Sequence, residues 1–520
     1  MSRFYFHNRL IQQHNFMKDL RAHKNAYGTV HYNFCNFYCI VFSRTKMGSS
    51  ETIESALSKI GLGKFHLILM LTLGLIHSCD SMEMLILAFL GPILSCHWRI
   101  SVIEASFLTT AVFLGIIVGN SLLGKFSDRF GRKMTLILTN SCLLYFGLFC
   151  AASPTVYWII ILRCLIGICI GGNNCNIYSL LSEMSPVQYR GTLQVLLQFF
   201  WACGSLIITL LCFLIVHKYG WRLFLSLSTI PVIIVLVSLF WIYESPRYLL
   251  LRNQKSKALE IINKIAVINH SEIITDLCNQ PVLTSSFKDL IHSNYLLTTF
   301  YTSFIWLNTG LSYYSTILIV PIIMGIPHQC LQNWKTFSQL SIQINVNKTV
   351  DDSCCFEMNW DSYKNMFIST AGEIVVIPIS IILINYVGRK RTLSIYMLVI
   401  SIGTFCLNFC MSSLALSAVL FIIRGAVKSL YNVIFIYCAE VYPTSVRSLS
   451  LGMGSSFSRI GAIISPFFVN ILFAQYSFFG GTMLLALTNA IGLVISFFLP
   501  YETKDRELFQ TADHVNEKSY

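Results

Sequence analysis

Gly124-Lys125-Phe126-Ser127-Asp128-Arg129-Phe130-Gly131-Arg132-Lys133 decides how this chain folds. A short segment with four cations and one acid, set between two long apolar runs, reads as a tight turn joining two membrane helices. In that reading the glycines supply the backbone freedom for the corner, Asp128 accepts hydrogen bonds from a neighbouring helix amino terminus, and the cations face anionic lipid. The turn is repeated. Gly131-Arg132-Lys133 recurs as Gly388-Arg389-Lys390, Glu183 as Glu440 and Arg190 as Arg447, all at a constant offset of 257 residues. Arg163 and Arg424, and Glu244 and Glu502, recur within a few residues of the same offset. Spacing held over such a length describes two related halves in parallel orientation, as in transporters whose site lies between bundles.

The rest of the composition fits a membrane protein. Only 12% of the residues are charged and 55% are apolar, whereas a soluble domain carries roughly 25% charged residues. Apolar runs long enough to cross about 30 Å of hydrocarbon occur near 65–93, 103–123, 134–152, 155–181, 192–216, 222–243, 295–323, 363–387, 393–411, 414–438, 449–474 and 478–500. Backbone polar groups cannot stay unpaired in lipid, so each run is predicted to be a helix. The expected fold is all-α, with twelve transmembrane helices in two pseudo-symmetric six-helix bundles.

Lys and Arg follow the even-numbered runs (Arg129, Arg132 and Lys133; Arg190; Arg247, Arg252, Lys255 and Lys257; Arg389, Lys390 and Arg391), and the alternate loops hold almost none. The positive-inside rule therefore puts those ends, and both termini, in the cytosol. The net positive charge is topological, so nucleic acid is not an expected partner; the bilayer is. The expected organisation is a disordered cytosolic arm at 1–60, a bundle at 61–243, a cytosolic linker at 244–294, a bundle at 295–500 with an outer loop at 325–362, and a cytosolic tail at 501–520. The outer loop carries the sequon Asn347-Lys348-Thr349 on the side where glycosylation occurs. It also holds Cys330, Cys354 and Cys355, enough for one disulfide or for three unpaired thiols. A second sequon, Asn269-His270-Ser271, falls in the cytosolic linker and is expected to stay bare.

The segment from Gly124 to Lys133 resembles the loop signature of the major facilitator superfamily. Arg163-Cys-Leu-Ile-Gly167 followed by Gly171-Gly172 resembles that family's fourth-helix motif, and Glu244-Ser245-Pro246-Arg247 and Pro500-Tyr501-Glu502-Thr503 resemble the motifs closing its two halves. Within the superfamily, Asp80-Ser81-Met82-Glu83-Met84, Glu440-Val441-Tyr442-Pro443-Thr444-Ser445-Val446-Arg447 and Ser458-Arg459-Ile460-Gly461-Ala462 look like the branch of synaptic vesicle 2-related proteins. The resemblance implies the major facilitator fold, alternating access and a vesicle membrane, with the plasma membrane as the other location. In the second half the turn reads Asn385-Tyr386-Val387-Gly388, without an acid, so a charge-based latch is expected to be weaker there.

An ionisable group in hydrocarbon costs at least about 2.5 kcal/mol, so each should face a partner or a wet cavity. At about 1.5 Å rise per residue, Asp80 and Glu83 in the first helix lie at the same depth as Arg163 in the fourth, which suggests an Asp80–Arg163 pair. Asp80 or Glu83 is the candidate to take up a proton or bind a cationic solute; the competing reading is a static ion pair. Glu373, Arg424 and Lys428 form a matching cluster in the second half, where Glu373 neutralises one base, and Trp201 and Asn308 complete the substrate candidates. Arg459 has no assignable partner. Glu183, Arg190, Glu440 and Arg447, with Gly124, Asp128, Arg129, Gly131, Arg132 and Lys133, are candidates for gating. Three acids set against three bases give no sign to the solute. No phosphate-cradling loop, metal-ligand pair or nucleophile motif points to an enzyme, and no cofactor or metal is expected. The reading is a secondary active transporter of a small organic solute or ion, with protons as the candidate coupling ion. The alternative is a non-transporting vesicle protein with a transporter fold.

Overall fold

The computed structural model describes residues 51–277, 295–324, 360–409, 411–442, 446–476 and 478–504. The apolar runs form helices α1 (Lys64–His97), α2 (Val102–Phe130), α3 (Arg132–Ala151), α4 (Val156–Met184), α5 (Val187–Val216) and α6 (Lys218–Trp241) in the first half. The second half holds α7 (Leu296–Met324), α8 (Trp360–Tyr386), α9 (Arg389–Cys406), α10 (Ser413–Val441), α11 (Arg447–Phe467) and α12 (Phe478–Phe497). Among the described residues eleven helices are long and apolar enough to span a bilayer. The twelfth, α9, opens on Arg389-Lys390-Arg391 and so falls short on composition, but it packs between α10 and α12. The exterior is apolar: Ile233, Ile234, Val237, Phe240 and Trp241 on α6 and Leu484, Leu487, Ile491 and Val494 on α12 are exposed. Away from the helix ends, the charged side chains Asp80, Glu83, Arg163, Glu373, Arg424, Lys428 and Arg459 are buried, so the solvent of this surface is lipid.

Helix pairs repeat between the halves. α1 packs on α5 as α7 does on α11, and α2 on α4 as α8 does on α10. Small residues let the backbones meet: a Cβ on Gly119 would lie 2.2 Å from the Ile168 carbonyl oxygen, and one on Gly372 2.3 Å from that of Phe421. The bundles then join along α2–α11 and α5–α8, two contacts related by the same repeat. These contacts gather at the end away from the basic turns. Thr110 donates to the Ile463 carbonyl at 3.4 Å, the Phe107 and Phe467 rings lie 5.5 Å apart, and Phe213 packs on Trp360 at 4.2 Å.

The first turn is built differently from its sequence reading. Gly124 lies inside α2, and Gly131 alone makes the corner, at φ 103°, matched by Gly388 at φ 101°. The acceptor at the following helix start is not Asp128 but Glu244, which takes the backbone N–H of Arg132 at 2.9 Å and of Lys133 at 3.2 Å. Glu502 does the same for Arg389 at 2.6 Å and Lys390 at 3.3 Å. The Asp128 side chain is 74% exposed and, among the described residues, forms an ion pair with Arg132 alone, at 3.1 Å. A carboxylate arriving from the end of the half reaches the orphan amides head-on, whereas Asp128, one turn back on α2, points to water.

The amino-terminal arm also ends earlier than residue 60. Ile53–Ile60 is a helix capped by Thr52, whose hydroxyl accepts from Ser55 N–H at 3.2 Å, and it buries Ala56, Leu57 and Ile60. It lies against a second helix outside the bundles, Lys255–Ile268, and Ser271 donates to the Ile60 carbonyl at 2.8 Å. Asn269 of the second sequon is part of this packing, accepting from Phe65 N–H at 3.0 Å. Nearby, the Lys255 ammonium, 2.6 Å from Asp276, holds that carboxyl below the usual carboxylate range. Asn347 and the three cysteines of the 325–362 loop lie outside the described residues.

Gly131→Ala is expected to lower stability by roughly 1–3 kcal/mol, because φ 103° strains an L side chain and the new Cβ would sit 2.3 Å from Glu244 Oε2. Gly124→Ala, whose Cβ meets open space, should leave the thermal unfolding midpoint of the purified protein unchanged or raised. Equal midpoints for the two variants would contradict this account of the corner.

Candidate functional site

Among the described residues, each bundle holds one ion pair buried away from the helix ends. In the first, Arg163 Nη1 on α4 lies 2.6 Å from Glu83 Oε2 on α1. In the second, Arg424 Nε on α10 lies 2.9 Å from Glu373 Oε1 on α8. All four side chains are almost fully buried. The arginines occupy corresponding helices, but their acids come from α1 and α8, which do not correspond. The expected Asp80–Arg163 pair is therefore replaced by Glu83–Arg163. Asp80 is held instead by Asn173, which donates to Oδ1 at 2.9 Å while its own Oδ1 accepts from Thr139 at 2.5 Å and Asn140 at 3.1 Å. Asp80 Oδ2 has no hydrogen-bond partner.

The middle of the seam carries a continuous chain of polar and aromatic groups drawn from both halves. His77 on α1 stacks near Trp201 on α5, with ring centres 4.9 Å apart, and its Nε2 lies 3.4 Å from the Tyr178 hydroxyl on α4. Gln198 on α5 donates to Tyr178 at 2.7 Å and accepts from Lys428 Nζ on α10 at 2.9 Å, so one amide joins the bundles. Lys428 lies 4.7 Å above the Trp201 ring and 5.6 Å from that of Tyr313, a cation–π arrangement. Trp201 Nε1 donates to the Tyr313 hydroxyl at 2.8 Å, and Tyr313 donates onward to Glu373 Oε2 at 3.5 Å. Arg459 on α11 finds its partner in Tyr314, donating from Nη1 at 2.9 Å, and Tyr314 packs on Phe113 of α2 at 4.5 Å.

Of the sequence candidates, Trp201, Lys428 and Glu373 meet at this seam. Glu83, Arg163 and Asp80 lie in the first bundle. Asn308 is internal to the second, donating to Asn489 at 3.1 Å. At the basic end the charged pairs stay within a bundle: Arg132 with Glu183 at 3.4 Å, and Arg389 with Glu440 at 2.9 Å. The second pair is the shorter and forms without an acid at Asn385. Arg190 reaches Glu54 of the amino-terminal helix at 3.3 Å instead of Glu183. Arg129 stacks over Phe130 at 5.4 Å, Lys133 donates to the Phe240 carbonyl at 3.4 Å, and Arg447 Nε and Nη2 are buried without a hydrogen-bond partner.

Sequence reasoning missed His77 and Tyr178 as seam residues, Gln198, the Tyr313–Tyr314 pair, and the Thr139–Asn140–Asn173 cluster. Each is a polar side chain within an apolar run, which is the signal that a charge-based search passes over.

A family model described as sugar (and other) transporter matches residues 78–514. The chain is 34% identical over 468 residues to the Mus musculus protein described as putative transporter SVOPL, covering 88% of this chain and 93% of that one. It is 31% identical over 465 residues to the synaptic vesicle 2-related protein of Xenopus laevis, covering 88% and 82%. Among solved structures, the partially occluded inward-open xylose transporter XylE from E. coli superposes with a TM-score of 0.63 at 15% identity, covering 85% of this chain and all of that one. That likeness is one of fold.

Removing one partner of the α1–α4 pair leaves a buried charge unanswered, so Arg163→Met should cost about 3–5 kcal/mol. Adding Glu83→Gln to that variant should recover part of the loss, read from thermal unfolding of the purified protein. Losses that simply add would mean the two side chains do not depend on one another.

Proposed function

The chain belongs to the sugar (and other) transporter family of the major facilitator superfamily, and from that membership we propose that it is a secondary active transporter working by alternating access on a small organic solute or ion. It is a multi-pass membrane protein of a transporter family, not an enzyme. One observation carries the reading furthest: side chains from α1, α4 and α5 meet those from α7, α8 and α10 in a hydrogen-bonded, aromatic-lined chain at mid-seam. Such a site between two rigid bundles is what rocking exposes to each side in turn.

The seam contacts gathered away from the basic turns support an inward-facing state, given the basic end in the cytosol. With both termini on that side, Asn347 falls on the far side as a glycosylation candidate, and the names of the synaptic vesicle 2-related relatives favour a vesicle membrane. Asp80 is the stronger proton-coupling candidate, because Glu83 is committed to Arg163 while Asp80 keeps one oxygen unpartnered. Glu183, Arg190, Glu440 and Arg447 are read as parts of the basic-end gate. The Arg190–Glu54 pair is the more exposed one there, and such pairs are individually weak, of order 0–1 kcal/mol, which suits a bond remade in each cycle.

Proteoliposomes loaded with a pH-sensitive dye and offered a panel of small organic solutes test this directly. At least one solute should change the internal pH with the intact chain, and Asp80→Asn should abolish that change while leaving solute exchange. Silence of the intact chain across the panel would identify a non-transporting membrane protein.

A further inference from the structure

Among the described residues, Arg163, Arg424, Lys428 and Arg459 are buried within the spans, away from the helix ends where Arg132 sits, and only two of these four are answered by carboxylates. Arg163 and Arg424 have Glu83 and Glu373 inside their own bundles. Lys428 and Arg459 have neutral partners: Gln198 with the Trp201 and Tyr313 faces for one, and the Tyr314 hydroxyl for the other. Among the described residues neither forms a salt bridge, though they are 4% and 7% exposed. Arg459 Nε has no acceptor. The two cations stand at adjoining rings: Lys428 faces Tyr313, whose ring lies 5.1 Å from that of Tyr314, the partner of Arg459.

None of the nearby described acids is bonded to either cation. Glu373 faces Arg424 through Oε1 and Tyr313 through Oε2. Glu83 is locked to Arg163, and Asp80 is bonded to Asn173. With Arg459 added to the three bases and three acids of the sequence tally, the described ionisable groups within the spans carry one more base than acid. Like charges in a low-dielectric region are tolerated when a counter-ion completes the site. The remaining seam groups are aromatic (Trp201, Tyr313, Tyr314 and Phe113), which suits an apolar or ring-bearing body beside that counter-ion.

We infer that the solute is a small organic anion whose carboxylate-like headgroup seats between Lys428 and Arg459, with its body against the Trp201 and Tyr313 rings. The inference rests on the transporter reading, whose central site it fills. The guanidinium of Arg459 offers a free N–H to an oxyanion, and Lys428 exchanges the Gln198 carbonyl for the headgroup. That exchange releases the amide joining the bundles, so solute binding and seam opening act on one contact.

The test uses the full-length protein purified in micelles, with binding read by tryptophan fluorescence and thermal shift. Three matched solute sets are offered, spanning the same ring and chain sizes: carboxylates and sulfonates, primary amines, and alcohols. Binding should occur in the anionic set, at concentrations about tenfold or more below any amine or alcohol of matching shape. Lys428→Gln and Arg459→Gln should each erase that preference, and Lys428→Arg should keep it. Amines or alcohols binding as well as anions, no anion binding, or the preference surviving in both Gln variants would each overturn the inference. Anion binding without flux in proteoliposomes would leave the solute class standing and remove transport; flux of a neutral solute would do the reverse.

Discussion

A carboxylate closes each half of this molecule on its own first turn. Glu244 and Glu502 arrive from the ends of α6 and α12 and accept the first backbone N–H groups of α3 and α9. Those amides are the positive end of a helix dipole and have no partner within the helix, so an anion there satisfies hydrogen bonding and charge together. The approach is possible only because the preceding residue is glycine at φ near 100°, with its missing Cβ filled by the carboxylate itself. Fixing that corner fixes the start of the third helix of each half, which orients the Arg132 and Arg389 side chains toward Glu183 and Glu440. The basic end of each bundle is thus a single bonded unit.

Within each bundle a buried ion pair does the same at depth, welding α1 to α4 and α8 to α10. Across the seam the bonds are of another kind. Trp201 donates to Tyr313 in a bond worth a net of about 0.5–1.5 kcal/mol, and Lys428 donates to the Gln198 amide in one worth about 1.5–3 kcal/mol. Ion pairs lie inside the bundles, and the hydrogen bonds between the bundles have no opposing charge. The two unanswered cations lie at that seam, in α10 and α11.

Much of this architecture was legible in the sequence. The constant offset of the Gly131 and Gly388 turns, with Glu183/Glu440 and Arg190/Arg447, gave two halves, and apolar run length gave the helices. What was not legible has physical causes. Asp80 and Glu83 are three residues apart, about 4.5 Å along the helix, so depth alone could not tell which one meets Arg163. Arg459 had no visible partner because its partner is the hydroxyl of Tyr314, and a search for opposite charge does not find a neutral acceptor. Asp128 drew the capping role because it is acidic and local, whereas Glu244 reaches the same amides from more than a hundred residues on. Ile53, Ala56, Leu57 and Ile60 carry a helical period that the polar composition of the amino-terminal arm concealed.

In the proposed transport cycle two rigid bundles turn about a seam whose contacts away from the basic end break. Phe107 and Phe467, with rings 5.5 Å apart across α2 and α11, mark that contact. Cysteines at both positions, oxidised to a disulfide in proteoliposomes and then reduced, give the most direct measurement, with the parent protein treated in parallel to register its native thiols. Oxidation should halt solute exchange, and reduction should restore it. Exchange at an undiminished rate through a quantitatively cross-linked protein would contradict the account.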